Sequence, residues 1–214
     1  MQLIKQVAHR LLAEKGVAGL SLREVSREMG VVSSALYRYF ATRDELLTAL
    51  IFDAYLDLGT TVERAEARIA RRDVRGRWRA TCRAIRRWSR DHSNEYALLF
   101  GTPVPGYRAP TITLAPAARV VVVMGAILSD AYESRETGRS VTAQRRVSTF
   151  LEVEGLRAVM PNVPADHYVR ALMAWTQVFG FMSFELFGHY VGSVSNAGRM
   201  FDEVVEQLAD LLEI

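Results

Sequence analysis

The stretch from Leu20 to Glu45, LSLREVSREMGVVSSALYRYFATRDE, limits what this chain can fold into more than any other. Ser21 and Glu24 have the spacing of a capping box, in which a hydroxyl and a carboxylate satisfy the orphan amides at a helix start. Leu22, Val25 and Met29 follow at helical spacing, and Gly30 predicts the stop, since glycine takes left-handed backbone angles without a Cβ penalty. The next segment reads as a second short helix with Leu36, Tyr39 and Phe40 inward and Ser34, Tyr37 and Arg38 outward. Thr42 and Glu45 repeat the capping-box spacing and open a third helix through Leu46, Leu47, Leu50 and Ile51. Two short helices joined by a tight glycine turn make a helix-turn-helix, the unit that lays its second helix in a DNA major groove.

The rest of the 214 residues also reads as helix, with no internal repeat and no strand pattern. A first helix is predicted over Gln2 to Lys15, with Ile4, Val7, Ala8, Leu11 and Leu12 on one stripe and Gly16 as its stop. The helix opening at Arg43 is predicted to reach about Ile69, with Gly59-Thr60-Thr61 as its soft spot. Further helices are predicted over Val74 to Arg90, Tyr96 to Phe100, Ala117 to Ser134, Val141 to Met160 and Ala165 to Tyr190. Ser195 or Asn196 would cap a last one through Leu212. The prolines between Gly101 and Pro116 predict a rigid loop, and Glu133 to Ser140 a polar connection. In the helix after Val141, Val147, Phe150, Leu151 and Leu156 would point inward. Half the residues are apolar, enough for a sizeable core.

Charge is unevenly spread. Residues 64–90 carry eleven arginines against Glu66 and Asp73, while residues 91–214 carry nine bases and fourteen acids. The bland expectation for the arginine run is a solvated face; the sharper ones are attraction for DNA or pairing with the acidic C-terminal half. Cys82 is the only cysteine, so no internal disulfide is possible and a cytoplasmic address is expected. The longest apolar run, Val120 to Met124, is too short to cross a bilayer, and no signal-peptide pattern is seen at the start, so no membrane partner is expected.

The candidate DNA-facing residues are Ser21, Arg23, Ser33, Ser34, Ala35, Tyr37, Arg38, Tyr39 and Arg43, with Lys5 a lesser one. Hydroxyls and guanidinium groups can donate to phosphate, and arginine can also grip a guanine edge. The stretch from Ile4 to about Leu50 resembles the N-terminal domain of the TetR/AcrR family of transcriptional regulators. The likeness lies in Ile4, Ala8, Leu11, Gly16, the SLREV start at Ser21, Gly30-Val31, Ala35-Leu36-Tyr37 with Phe40, and Arg43-Asp44-Glu45-Leu46. Three places depart from the family pattern. Val32 stands where a capping serine is usual, so Ser33 would take over the cap; Ala41 replaces a proline; and the first helix begins with no basic arm before it.

The resemblance implies an all-α protein with a helix-turn-helix DNA-binding domain over residues 1–50 (the motif about 20–40). Residues 51–214 would form a larger helical domain for ligand binding and dimerisation. Its implied partners are a roughly palindromic double-stranded operator, a second copy of the chain and an unknown small-molecule effector that releases the DNA. The stretch WTQVFGFMSFELFGHY, Trp175 to Tyr190, is similar to a subgroup of the family's C-terminal domains. Gly180 and Gly188 would each admit a close helix neighbour, and the last two helices would pair two copies in a four-helix interface. A pocket lined by Trp78, Trp88, Tyr96, Phe100, Met124, Leu128, Phe150 and Trp175 is expected to take the effector.

No phosphate loop, HExxH, paired CxxC or nucleophile elbow occurs, which speaks against an enzyme, a resident metal or a cofactor. Glu185 and His189 share a helix face but lack the second Glu-x-x-His that a di-iron bundle needs.

Overall fold

The computed structural model describes residues 1–133 and 148–214, and among these every regular element is a helix. In chain order they are α1 (Gln2–Lys15), α2 (Leu22–Glu28), α3 (Ser33–Leu36), α4 (Arg43–Glu66), α5 (Val74–Asp91), α6 (Ser93–Phe100), α7 (Leu114–Glu133), α8 (Val153–Val159), α9 (Tyr168–Leu186) and α10 (Ala197–Leu211). They fall into two compact units: Met1–Leu58 with Asp91–Ala117, and Gly59–Arg90 with Ala118–Ile214.

The first unit closes around a core that takes residues from α1 to α4. Ile4, Val7, Ala8, Leu11 and Leu12 meet Leu22, Val25, Leu36, Phe40, Leu46, Leu47 and Leu50, with Leu98, Leu99, Val104 and Tyr107 packed against them from the later segment. Each fully buried aliphatic side chain here contributes about 1.5–3 kcal/mol relative to exposure. Ser21 caps α2 by accepting from the Glu24 amide at 3.1 Å, but Glu24 turns its carboxylate to Lys15 and Arg27, so only half the box forms. Gly30, at φ 67°, ends α2 in a Schellman turn with Val31 N–H donating to Ser26 O at 3.0 Å. Thr42 accepts from the Glu45 amide at 3.1 Å, and the Glu45 carboxylate reaches the Ala41 amide at 2.8 Å.

The second unit is built on α5, whose inner side buries Trp78, Cys82, Ile85 and Trp88. Five of its arginines are paired with acids rather than left to solvent, while Arg87 and Arg90 are exposed. Arg75 donates to Asp210 at 2.7 Å and to Glu206, Arg79 holds Glu206 with two nitrogens, Arg83 meets Asp202 at 2.9 Å, and Arg86 grips Glu185 at 2.6 and 2.8 Å. Steps of three or four along α5 are answered by steps of four back along α10, the ladder of two antiparallel helices. Four arginines of the run therefore bind α10 and the end of α9. Arg77 is buried as well, held by Glu66 and by Asp130 at 2.6 Å.

Several expected elements end differently. α4 passes Gly59 without a break; a Cβ there would meet Arg119 at 2.9 Å, so the glycine admits α7 rather than softening the helix. Leu151 and Glu152 precede α8 as a bend, and Phe150 is 64% exposed rather than inward. Val147, and the polar connection apart from Glu133, lie outside the described residues. α9 stops at Leu186, where Gly188 at φ 79° lets His189 N–H donate to Phe184 O at 2.9 Å. Gly188 is thus a helix stop, not a place of helix contact. Asn196 caps α10 by accepting from the Arg199 amide at 2.9 Å.

The stretch Thr111–Glu133 is long and apolar enough by composition to cross a bilayer, contrary to the shorter run read from the sequence. Two of its charges are paired within the second unit: Arg119 donates to Glu63 at 2.7 Å, and Asp130 accepts from Arg71 and Arg77. Val120, Met124, Ile127 and Leu128 are buried, which is the pattern of a core helix.

Candidate functional site

The turn at Gly30 and the packing of Leu36 and Phe40 hold α3 against the first unit's core and leave its other side open. α3 is shorter than the helix expected through Phe40, so Ser34 is exposed on it while Tyr37, Arg38 and Tyr39 are exposed on the turn that follows. Tyr39 is 54% exposed, so it belongs to the outer surface and not to the core spacing expected of it. Arg38 pairs with no acid among the described residues and carries its whole charge outward. Arg23 on α2 is exposed as well, and Ala35 is half-buried. The surface is small, polar and cationic, with two phenol rings: it can donate to phosphates and read base edges.

Ser33 and Arg43 are differently occupied. The Ser33 hydroxyl lies 2.8 Å from the Ser26 hydroxyl, which itself donates to the Arg23 carbonyl at 2.8 Å. α3 begins at Ser33 and its preceding residue, Val32, offers no capping side chain, so the expected Ser33 cap does not form. Arg43 folds back to donate from Nε to Leu20 O at 2.8 Å and from Nη2 to Val17 O at 2.7 Å. Its side chain ties the α1–α2 connection to the start of α4. Ser21 accepts as a helix cap, and Lys5 pairs with Asp53 at 2.6 Å. Val32, noted in the sequence only for replacing a capping serine and not among the DNA-facing candidates, is 71% exposed beside the start of α3 and can touch a thymine methyl. The signal available was a large apolar residue at a helix start that needs a polar cap.

In the second unit, Trp78, Met124, Leu128 and Trp175 come together around a cavity of about 170 Å³, with Gly125, Leu156, Met160 and Leu172 also on its wall. Gly125 is needed there: a Cβ would meet the Val159 carbonyl oxygen at 2.7 Å. The other four expected lining residues are elsewhere. Tyr96 and Phe100 belong to the first unit, where their rings are 5.0 Å apart and Phe100 meets Tyr55 edge-on. Trp88 is buried in α5 away from the cavity wall, and Phe150 faces out. The Trp78 indole donates to Val205 O at 3.0 Å, so its polar atom is spent on α10.

Along α9 and the residue that caps it, Met173, Gly180, Phe184 and Phe187 fall on one helical stripe, and the three large residues are exposed. A Cβ on Gly180 would meet nothing within 4 Å. Just beyond the helix, Val191 is 87% exposed. Among the described residues no three His, Cys, Asp or Glu side chains converge to hold a metal ion, and Glu185 is engaged by Arg86.

Comparison with known proteins gives two family matches. Residues 4–50 match the family described as bacterial regulatory proteins, tetR family, and residues 78–208 match the tetracyclin repressor-like C-terminal domain. The chain is 38% identical over 223 aligned positions to the HTH-type transcriptional regulator Rv1816 of Mycobacterium tuberculosis, covering 98% of this chain and 90% of that protein. The same figures hold for the HTH-type transcriptional regulator Mb1846 of Mycobacterium bovis. Among solved structures, SCO4313, described as a regulatory protein, superposes with a TM-score of 0.76 at 33% identity, over 97% of this chain and 93% of that one.

Proposed function

The chain belongs to the TetR family of bacterial transcriptional regulators, DNA-binding proteins and not enzymes, and from that premise we propose that it is a homodimeric repressor acting at a roughly palindromic operator. Residues 1–50 bind the DNA and residues 51–214 regulate and dimerise. The observation that carries the reading is the outer side of α3 and the turn that follows it, where Ser34 on the helix and Tyr37, Arg38 and Tyr39 on the turn stand exposed, anchored from behind by Leu36 and Phe40. Two copies would set their α3 helices in successive major grooves, about 34 Å apart. Pairing of α9 and α10 with those of a second copy would cover the stripe of Met173, Phe184 and Phe187, with Gly180 as the point of closest approach. The chain then works in the cytoplasm, where its DNA is.

An effector in the second unit's cavity would release the operator by binding better to the DNA-free conformation, since only differential affinity shifts such an equilibrium. The cavity's size favours a second reading. Small-molecule pockets usually run from roughly 300 to 1,000 Å³, and this one is about 170 Å³. In that reading the second unit only dimerises, and DNA binding is constitutive.

The deciding experiment is an anisotropy titration with DNA from upstream of the protein's own gene, over a range of salt. Tight, palindrome-dependent binding that weakens steeply with salt supports a sequence-specific regulator. Binding indifferent to sequence sinks it. The two readings then separate with Ala171→Phe, which fills the cavity: loss of effector response supports induction, and no response in the natural chain supports the constitutive form.

A further inference from the structure

We propose that the first unit holds a second small-molecule site, a cleft of about 690 Å³ suited to an apolar organic anion. The end of α1, the start of α4, α6 and the loop that follows it form the cleft. Its apolar wall includes Leu12, Val17, Leu98, Val104 and Pro105. Arg43 is the one charged residue among those lining it.

Two observations give the ligand its chemistry. The first is the state of Arg43. Nε and Nη2 donate to neutral carbonyls, no carboxylate among the described residues pairs with the guanidinium, and Nη1 is left over. A half-buried guanidinium whose partners are all neutral has no counter-ion among the described residues, and the apolar side chains of this open cleft strengthen its pull on an anion. The second is size. The cleft lies inside the usual range for small-molecule pockets and is several times larger than the cavity of the second unit. A carboxylate on an aromatic or branched hydrocarbon satisfies both, with the hydrocarbon against the leucine, valine and proline wall and the anion at Arg43. Asn94 and Thr102, also on the wall, offer further donors. The site shares its unit with α3, and Arg43 is the residue that ties Val17 and Leu20 in front of α2. The proposal does not depend on the repressor reading, because it concerns ligand binding alone.

The test is isothermal titration of the full chain with naphthoate and with its uncharged counterpart naphthylmethanol. Naphthoate is expected to bind one per chain and about tenfold more tightly than the alcohol, the worth of a charge-assisted hydrogen bond. Arg43→Gln should remove that preference. Ala13→Trp, a substitution at an exposed position on the cleft wall, should remove binding of both probes without lowering the melting temperature. Ala171→Phe, in the other unit's cavity, should change neither. If naphthoate does not bind, or binds Ala13→Trp as well as it binds the natural chain, the proposal is wrong. Loss of binding in Ala171→Phe would also overturn it, placing the probe in the other cavity. Should Arg43→Gln fail to fold, the preference for naphthoate and its loss in Ala13→Trp still decide.

Discussion

Arg38 and Arg43 carry the same guanidinium and put it to different uses. Arg38 is exposed and lacks an acidic partner among the described residues, whereas Arg43 gives two donors to the carbonyls of Val17 and Leu20. Arg38→Ala should therefore cost operator affinity about 1–3 kcal/mol if the side chain reads a base edge, or reduce the salt slope by about one if it meets a phosphate. Anisotropy titrations at several salt concentrations check this, with dimerisation unchanged by sedimentation; affinity equal to that of the natural chain would remove Arg38 from the interface. Ser33 gives the opposite forecast. Its hydroxyl is 2.8 Å from that of Ser26, so Ser33→Ala should lower stability by about 1 kcal/mol in urea denaturation and leave operator affinity alone. That Ser34, Tyr37 and Arg38 face outward was legible from the sequence, though Tyr37 and Arg38 lie on the turn after the short helix rather than on it. It did not tell that Ser33 and Arg43 were already engaged, because their partners come from earlier segments brought close only by the fold.

Helices show the same division between pattern and partner. The inner stripe of α5 and the span of α1 were legible from spacing alone, since burial follows helical periodicity. What the arginines of α5 faced was not legible, because nothing in one helix's sequence names the helix beside it. Their pairing has a pH consequence. Hydrogen bonds from Arg79, and then Arg75, bring the Glu206 carboxyl down from its ordinary 4.5 to about 2, against the opposing effect of its partial burial. A carboxyl with a lowered folded value stabilises fully above its unfolded value and loses that contribution as pH falls towards the folded one. Thermal melts should show stability falling between about pH 4.5 and pH 2, with a shallower fall in Glu206→Gln; equal slopes would mean that the pair contributes nothing. Close helix contacts make a second forecast. Gly125→Ala drives a methyl against the Val159 carbonyl and should cost about 1–3 kcal/mol, measured by chemical denaturation. Gly180→Ala meets no neighbour within the chain and should leave the monomer's stability unharmed.

For the whole molecule, the exposed stripe on α9 makes the dimer testable. Phe184→Asp puts a charge on a residue that is 51% exposed in the single chain, so its own fold should survive. In sedimentation velocity it should shift the protein to monomers and weaken binding to a full palindrome far more than to a half-site. A dimer that persists would move the interface elsewhere. Fold class and motif were legible from the sequence because two caps, a turn glycine and an apolar stripe all agree. The return of Asp91–Ala117 to the first unit was not, since Leu98, Leu99, Val104 and Tyr107 look like any surface-loop or short-helix residues until their partners are seen. That return also sets the order of events on the ribosome. At about 5–20 residues per second, the segment that completes the first unit leaves several seconds after Leu58 does. For that interval the nascent helix-turn-helix carries an apolar flank that nothing yet covers. Factors that bind emerging chains have their window there, and a messenger pause before residue 117 would lengthen it.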